Sequence, residues 1–551
     1  ALAGSRAVAI RKLDKHTWRA APVSGPLTLA YEVYAWDLSV RAAHLDETHG
    51  FFNGPSVFLL PLGYEASPCR LDIFPPAAPS NRGRDRRYAD WKVITGLAPA
   101  RGTRRGAFGT YLARNYDELI DCPVEMGTFA HAEFKVLGVP HEIAITGRVP
   151  KLDLKRLTHD LTRVCEAHIR LFEPRAKNAP FERYSFLALA VSDGYGGLEH
   201  RNSTALLCQR HDLPFVGMKD TTEAYRKFLG LASHEYFHSW NVKRIRPAAF
   251  VPYDLTQENY TRLLWAFEGF TSYYDDLLLA RAALLTQAQY LDTLAKTLST
   301  VLQRAGRRKQ SVADSSFDAW IKYYRQDENA PNSIVSYYQK GSLVALALDL
   351  TIRRDSHGRK SLDDVMRLLW RRWRAAGDAY VGVEENEFMQ AISEATGLDL
   401  ARPLHEWTEG TRDPDFAALL APFGIQCERR AAVDSPHFAL LGLQASERGE
   451  CRVTHVLDGG PAQAAGVSGG DTLIALDGLR ISSAGNLDKL LARYQPGDMV
   501  QLLAFRRDEL MRFDIALATQ PPAKFLLKAE PKASKSALRL RAGWLGSGRS
   551  A

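Results

Sequence analysis

The sequence predicts a multidomain α+β protein with a β-rich amino-terminal domain, a mainly helical middle and a smaller β-rich module near the carboxyl end. Three observations carry this reading. A chain of 551 residues has room for about three domains of ordinary size. Its balance of 46% hydrophobic and 24% charged residues is that of a folded globular chain. The apolar pattern also changes texture twice, from short alternating runs to helical periodicity near Leu152, and back to short runs with Gly-rich turns near Phe438.

Residues 1–150 read as an N-terminal β-domain. Runs at 28–35 (TLAYEVYA), 56–60, 129–136 and 141–147 predict antiparallel strands. Residues 151–425 read as a second domain. Within it, 154–172 predicts a helix with Leu157, Leu161, Val164, Ile169 and Leu171 mostly on one face, and 184–192 predicts a strand. Asp220 and Glu223 suggest a capping box for a helix that ends before Pro247. Further helices are expected over 260–285, 342–354, 361–376 and 385–396. Residues 436–520 form the third module. The stretch 521–551, rich in Pro, Lys, Ser and Gly, predicts a disordered basic tail.

Composition excludes several functions. The net charge of +8 sits largely in local clusters (Arg101, Arg104 and Arg105; Arg304 to Lys309; Arg367 to Arg374) without aromatic interleaving or a base-reading motif. They read as solvated faces, with no nucleic acid as partner. No apolar run approaches the roughly 18 residues that span a bilayer, and the longest, 343–350, is broken by Asp349. The six cysteines have no CxxC pair, so reduced thiols and a cytoplasmic location are expected. A periplasmic location follows instead if an upstream signal sequence precedes Ala1.

The chemistry centres on His234-Glu235-Tyr236-Phe237-His238. Two histidines four residues apart on a helix lie about 6 Å apart on one face, so both imidazoles can reach one zinc ion. Glu235 can then address water at that ion as a general base. A helix carrying two otherwise satisfied histidines is the alternative. A catalytic zinc needs a third ligand and an open position. The metzincin spacing puts a third histidine six residues after the second, where this chain has Arg244. The other arrangement takes a carboxylate from a following helix, and Asp254, Glu258, Glu268, Asp275 and Asp276 lie downstream. Glu268 fits best, because it interrupts the apolar run Trp265-Ala266-Phe267-Glu268-Gly269-Phe270-Thr271, where a buried carboxylate is costly unless a cation meets it. An Arg partner is the alternative there. Gly269 leaves room for another chain segment or a substrate, and Asp275, two turns on, can orient a ligand histidine.

Two more segments belong to the same chemistry. Gly196-Gly197-Leu198-Glu199 follows a predicted strand. A strand edge there can align an extended peptide, with Glu199 fixing a free α-amine. Tyr338 opens a predicted helix, and its hydroxyl can stabilise an oxyanion.

The order Gly-x-x-Glu, HExxH, Glu-Gly-x-Thr, Tyr-x-Lys-Gly resembles the gluzincin aminopeptidases related to aminopeptidase N. More closely, GGLEHRNST (196–204), HEYFHSWNVKRIRP (234–247), WAFEGFTSYYDDLLLARA (265–282) and YYQKGSLVALALDL (337–350) resemble the glycyl aminopeptidase family with a C-terminal PDZ domain, over nearly the whole chain. The resemblance implies an N-terminal β-sandwich-like domain, a thermolysin-like, mainly helical catalytic domain and a PDZ domain. It implies one Zn2+ per chain on His234, His238 and Glu268, with Glu235 as general base and Tyr338 as transition-state stabiliser. Glu199, on the strand of Gly196 and Gly197, would anchor the amino terminus of a peptide substrate, from which glycine or alanine is released. Leu198 and His200 replace the Met and Asn of the aminopeptidase N box, a departure that bears on exopeptidase selectivity. Residues 15–59 resemble the middle of the family's N-terminal domain, whose first strands are expected to be missing. A PDZ-guided zinc endopeptidase and an inactive PDZ scaffold are the rival readings; intact His234, Glu235, His238 and Glu268 argue against the second.

Residues 453–478 (VTHVLDGGPAQAAGVSGGDTLIALDG) read as strand, turn, short helix and strand, and resemble a bacterial PDZ domain. Leu441-Gly442-Leu443 would be its carboxylate-binding loop, receiving a C-terminal peptide beside a helix at 486–494.

Overall fold

The computed structural model describes residues 1–76, 86–175, 178–430, 435–446, 448–518 and 524–546. They fall into two units, Ala1–Phe129 and Ala130–Ala551.

In the first unit the described strands are short. We label them β1 (Ala43–Leu45), β2 (His49–Phe52), β3 (Cys69–Ile73), β4 (Lys92–Thr95), β5 (Ala98–Pro99), β6 (Gly109–Ala113) and β7 (Val124–Gly127). These seven form two antiparallel sheets, ordered β1-β2-β7-β4 and β3-β6-β5, and ahead of them Leu2–Ala3 pairs with Arg6–Ala7 and Ile10–Lys12 with Trp18–Ala20 in two further antiparallel pairs. Val93, Leu97, Tyr111 and Val124 are buried in one apolar cluster. Two expected strands are not there among the described residues. Segment 28–35 makes a single bridge, Thr28 to Leu2; its alternation is real, but Leu29, Tyr31 and Val33 are all exposed. Segment 56–60 starts on a one-turn 3-10 helix, Gly54–Ser56, where Pro55 occupies the first turn and cannot donate to a ladder.

The boundary expected at 150 falls at 129, because the next two strands pair into the second unit's sheet. That sheet comprises β8 (Ala130–Val136), β9 (Val139–Thr146), β10 (Tyr184–Val191), β11 (Gly196–Glu199) and β12 (Ser203–Gln209). Its order is β8-β9-β10-β12-β11 among the described residues, with β9, β10 and β12 parallel and the outer two strands antiparallel to their neighbours. This leaves β11, the Gly-Gly-Leu-Glu strand, on an edge. Helix α1 (Leu154–Phe172) buries Leu157, Leu161, Val164 and Ile169, as its periodicity predicts.

Helix α2 (Glu223–Phe237) carries the HEYFH motif. It is capped by Thr222, whose hydroxyl accepts the Tyr225 N–H, rather than by the expected Asp220–Glu223 box. After it come α3 (Leu264–Arg281), α4 (Gln287–Gln303), α5 (Gln339–Asp355), α6 (Leu362–Ala376) and α7 (Glu387–Thr396). Helices α3 and α5 are buried over most of their surface and meet glycine to glycine. A Cβ on Gly269 would lie 2.5 Å from the Gly341 Cα, so any side chain there forces the helices apart.

Strand β13 (Ile425–Arg430) precedes a module with its own core. The module contains β14 (Leu443–Ala445), β15 (Val453–Val456), β16 (Thr472–Leu476), α8 (Ala484–Leu491), β17 (Met499–Arg506) and β18 (Glu509–Ala516). The tail is not the disordered segment expected over 521–551. Residues 521–523 and 547–551 lie outside the described residues, but between them stand β19 (Lys524–Ala529) and α9 (Lys535–Leu545). Strand β19 pairs antiparallel with β13. In α9, Ala537, Leu540, Arg541, Trp544 and Leu545 form one buried face, which the basic composition masks.

Candidate metal centre

The HEYFH motif occupies the last turn of α2. His238 caps that helix, its N–H donating to the His234 carbonyl at 3.3 Å. Helix α3 sets Glu268 against both rings: its Oε2 lies 3.4 Å from His234 Nε2 and 3.3 Å from His238 Nε2. Tetrahedral zinc with bonds of about 2.0–2.1 Å separates neighbouring ligand atoms by about 3.4 Å, so this spacing fits the ion. Glu268 Oε2 is also buried without a hydrogen-bond partner among the described residues. Such an oxygen is costly unless a cation meets it. Burial alone would raise the Glu268 carboxyl, but the two imidazoles outweigh it and hold the group well below the usual range.

Each histidine is held by its other nitrogen. His234 Nδ1 meets Asp275 Oδ2 at 3.1 Å, and His238 Nδ1 donates to the Asn241 carbonyl at 2.7 Å. Committing Nδ1–H in this way leaves the Nε2 lone pairs facing Glu268. Asn241 also donates from its side chain to the Phe267 carbonyl at 3.0 Å, tying the turn after α2 to the ligand helix. Sequence reasoning missed Asn241; its spacing, three residues after His238, was the available signal. The other acidic candidates are elsewhere. Asp254 caps an exposed turn at Thr256, Glu258 pairs with Tyr260, and half-buried Asp276 lies outside the ligand group. Arg244 is a structural residue that donates to the carbonyls of Ser239, Pro180 and Arg201.

Glu235 is buried beside the ligands, and burial pushes its carboxyl up to about 7, against the pull of His234 and His238. Edge strand β11 runs directly over it. A Cβ on Gly197 would fall 2.1 Å from Glu235 Oε1, so only glycine lets the strand come so close. A Cβ on Gly196 would meet open space. Two residues beyond Gly197, a Glu199 carboxylate oxygen lies within 4.8 Å of donor atoms of Glu235 and His238.

Tyr338 stands at the start of α5, its ring centroid 6.2 Å from that of His234. Burial and the Glu268 charge hold its phenol protonated far above neutral pH, so it is a donor. Its hydroxyl lies 3.1 Å from that of Tyr324, a second residue that sequence reasoning missed. The room that Gly269 leaves is taken by the α5 backbone at Gly341, which is what brings Tyr338 to the ligands.

In the small module, Leu441 and Leu443 are buried and Gly442 adopts a left-handed φ of +71°. The Gly442 N–H donates to the Phe438 carbonyl at 3.1 Å. Helix α8 presents Asp488 to His437 at 2.7 Å.

The cysteines are free thiols, and no helix of the described residues is long and apolar enough to cross a membrane. Comparison with known proteins agrees with the geometry. Residues 227–344 match the M61 glycyl aminopeptidase family, residues 1–128 the peptidase M61 N-terminal domain, and residues 427–517 the PDZ domain. No protein of curated function matches the chain. Among solved structures, an aminopeptidase N family protein from Idiomarina loihiensis is 38% identical with a TM-score of 0.89, over 98% of this chain and 89% of its own. An M1 zinc metallopeptidase from Deinococcus radiodurans is 13% identical with a TM-score of 0.45, over 70% of this chain and 74% of its own, too distant to bear on the chemistry. With 38% identity along nearly the whole length and an assembled histidine–carboxylate centre, this chain belongs to the M61 glycyl aminopeptidase family of metallopeptidases.

Proposed function

We propose that the chain is a zinc aminopeptidase that releases small amino-terminal residues, glycine or alanine, from peptides, using one zinc ion on His234, His238 and Glu268. The observation that carries the reading is the position of Glu199. A carboxylate on an edge strand, beside Glu235 and His238, is suited to a substrate's α-ammonium group. The family's description as glycyl aminopeptidases supports the preference for a small first residue.

Zinc bound at this centre supplies a Lewis acid that polarises the scissile carbonyl and acidifies water. The chain's residues do the rest. An extended substrate lies along the edge of β11, its ammonium group on Glu199 and its first peptide bond over Glu235. Glu235, held by burial near the pKa of a neutral-pH base, removes a proton from the attacking water and returns it to the departing amine. The Tyr338 hydroxyl donates to the oxyanion that develops on the carbonyl. Asp275 and the Asn241 carbonyl keep both imidazoles in place throughout. A peptide carboxyl terminus is the ligand this reading gives the PDZ domain, received at Leu441-Gly442-Leu443 once Gly442 N–H exchanges its bond to Phe438.

A panel of aminoacyl reporter substrates, run with and without a chelator, tests the reading. Glycyl and alanyl substrates should be hydrolysed fastest, with activity lost to the chelator and restored by zinc. Chelator-resistant turnover, or a preference for bulky residues, would overturn it.

A further inference from the structure

A second group of metal-ligating side chains stands in the amino-terminal unit, on the β1–β2 hairpin. His44 lies on β1 and His49 on β2, and their rings stack with centroids 4.9 Å apart. Asp46 sits in the turn between them, one carboxylate oxygen accepting the N–H groups of Thr48 and His49 and the Thr48 hydroxyl. That network fixes the turn and leaves the other oxygen, Oδ2, for a ligand. One donor atom from each of His44, Asp46 and His49 lies within 4.8 Å of the others.

The pair of imidazoles is poorly explained as ordinary core. His44 is 5% exposed, and its Nδ1 is buried without a hydrogen-bond partner among the described residues. A buried imidazole nitrogen left so is costly. His49, 3% exposed, has the opposite arrangement: its Nδ1 meets the buried Glu125 carboxylate of β7 at 3.2 Å. A carboxylate on one nitrogen of a histidine orients the ring and raises the basicity of the other nitrogen, the usual support for a metal ligand. Asp46 is the least buried member, so the group opens to solvent and an ion can enter.

We propose that His44, Asp46 and His49 bind a second divalent transition-metal ion, of the class that takes two imidazoles and a carboxylate, with Glu125 positioning His49. Zinc is the probe. Three protein ligands leave water on the remaining position. The site is separate from the HEYFH centre in sequence and uses none of its residues, so it stands whether or not the peptidase reading holds.

The test is metal content of the full chain after dialysis against micromolar free zinc, followed by elemental analysis. Wild type should hold two equivalents. His44→Gln and Asp46→Asn should each hold one and still hydrolyse the glycyl reporter as wild type does. The double variant His234→Gln/His238→Gln should also retain one equivalent while losing turnover. Because Asp46 is the least buried of the three, Asp46→Asn keeps the test intact even if His44→Gln fails to fold. One equivalent in wild type, unchanged in Asp46→Asn and absent from the HEYFH double variant, would overturn the proposal.

Discussion

His141 shows how a single buried residue ties this fold to pH. It is fully buried on β9, where Nδ1 donates to the Val139 carbonyl at 3.0 Å and Nε2 accepts from the Tyr236 hydroxyl at 2.9 Å. That pattern suits the neutral ring, and burial lowers its pKa from 6.5 to about 4, with Arg183 adding to the effect. In the unfolded chain the ring takes a proton near pH 6.5. The stabilisation is therefore complete above that value and is lost as the pH falls toward 4, by about 3 kcal/mol in all. The urea midpoint of wild type should drop between pH 7 and pH 4.5, and His141→Gln should lose this share of the slope. Equal slopes in the two proteins would show that His141 carries none of this pH dependence. Because Tyr236 lies inside the HEYFH segment, the same bond steadies the metal helix.

At the scale of elements, the centre depends on how closely α3 and α5 approach. A Cβ on Gly341 would lie 2.7 Å from the Trp265 carbonyl oxygen and 2.9 Å from the Gly269 Cα. Both neighbours are backbone atoms within a buried helix pair and have little room to yield. Gly341→Ala should therefore cost about 1–3 kcal/mol of stability and move Tyr338 away from Glu268. The expected readout is a kcat that falls more than KM rises, together with a lower melting temperature; wild-type values for both would contradict the packing argument. This crossing also shows what the sequence made legible. The helix repeats, the HEYFH spacing and the isolated Glu268 could be read along the chain, because each is a local pattern on one face of one element. The Gly269–Gly341 contact joins residues 72 positions apart, and the Asn241 and Tyr324 bonds have no periodic signature either. The N-cap went to Thr222 rather than Asp220 for a local reason, since two polar residues stood within reach of the same helix start. Alternation misled at 28–35, where a strand-like pattern made only the single bridge of Thr28 to Leu2 among the described residues.

For the whole molecule, the carboxyl end changes the order of parts. Strands β13 and β19 pair with each other, so the PDZ module between them is an insertion anchored at both ends rather than a terminal appendage. Helix α9 then reaches the helices of the metal centre. The fully buried Trp544 donates from Nε1 to the Tyr273 hydroxyl of α3 at 2.9 Å, and that hydroxyl donates to Asp349 of α5 at 2.6 Å. Arg353 of α5 donates to both Asp349 and the Gly543 carbonyl. Trp544→Ala should cost about 3–5 kcal/mol, and a chain ending at residue 520 should unfold at a markedly lower temperature than the full chain. Unfolding of the shortened chain at the same temperature would favour the disordered tail that composition suggested. The proposed function turns on Glu199, which would read the free amino terminus of a peptide. The most direct test is kcat/KM for one glycyl peptide with its amine free and with the same amine acetylated. Acetylation should cost about 3 kcal/mol, roughly 100-fold in kcat/KM, because the blocked amine leaves Glu199 unpaired. Equal cleavage of the two peptides would contradict that role.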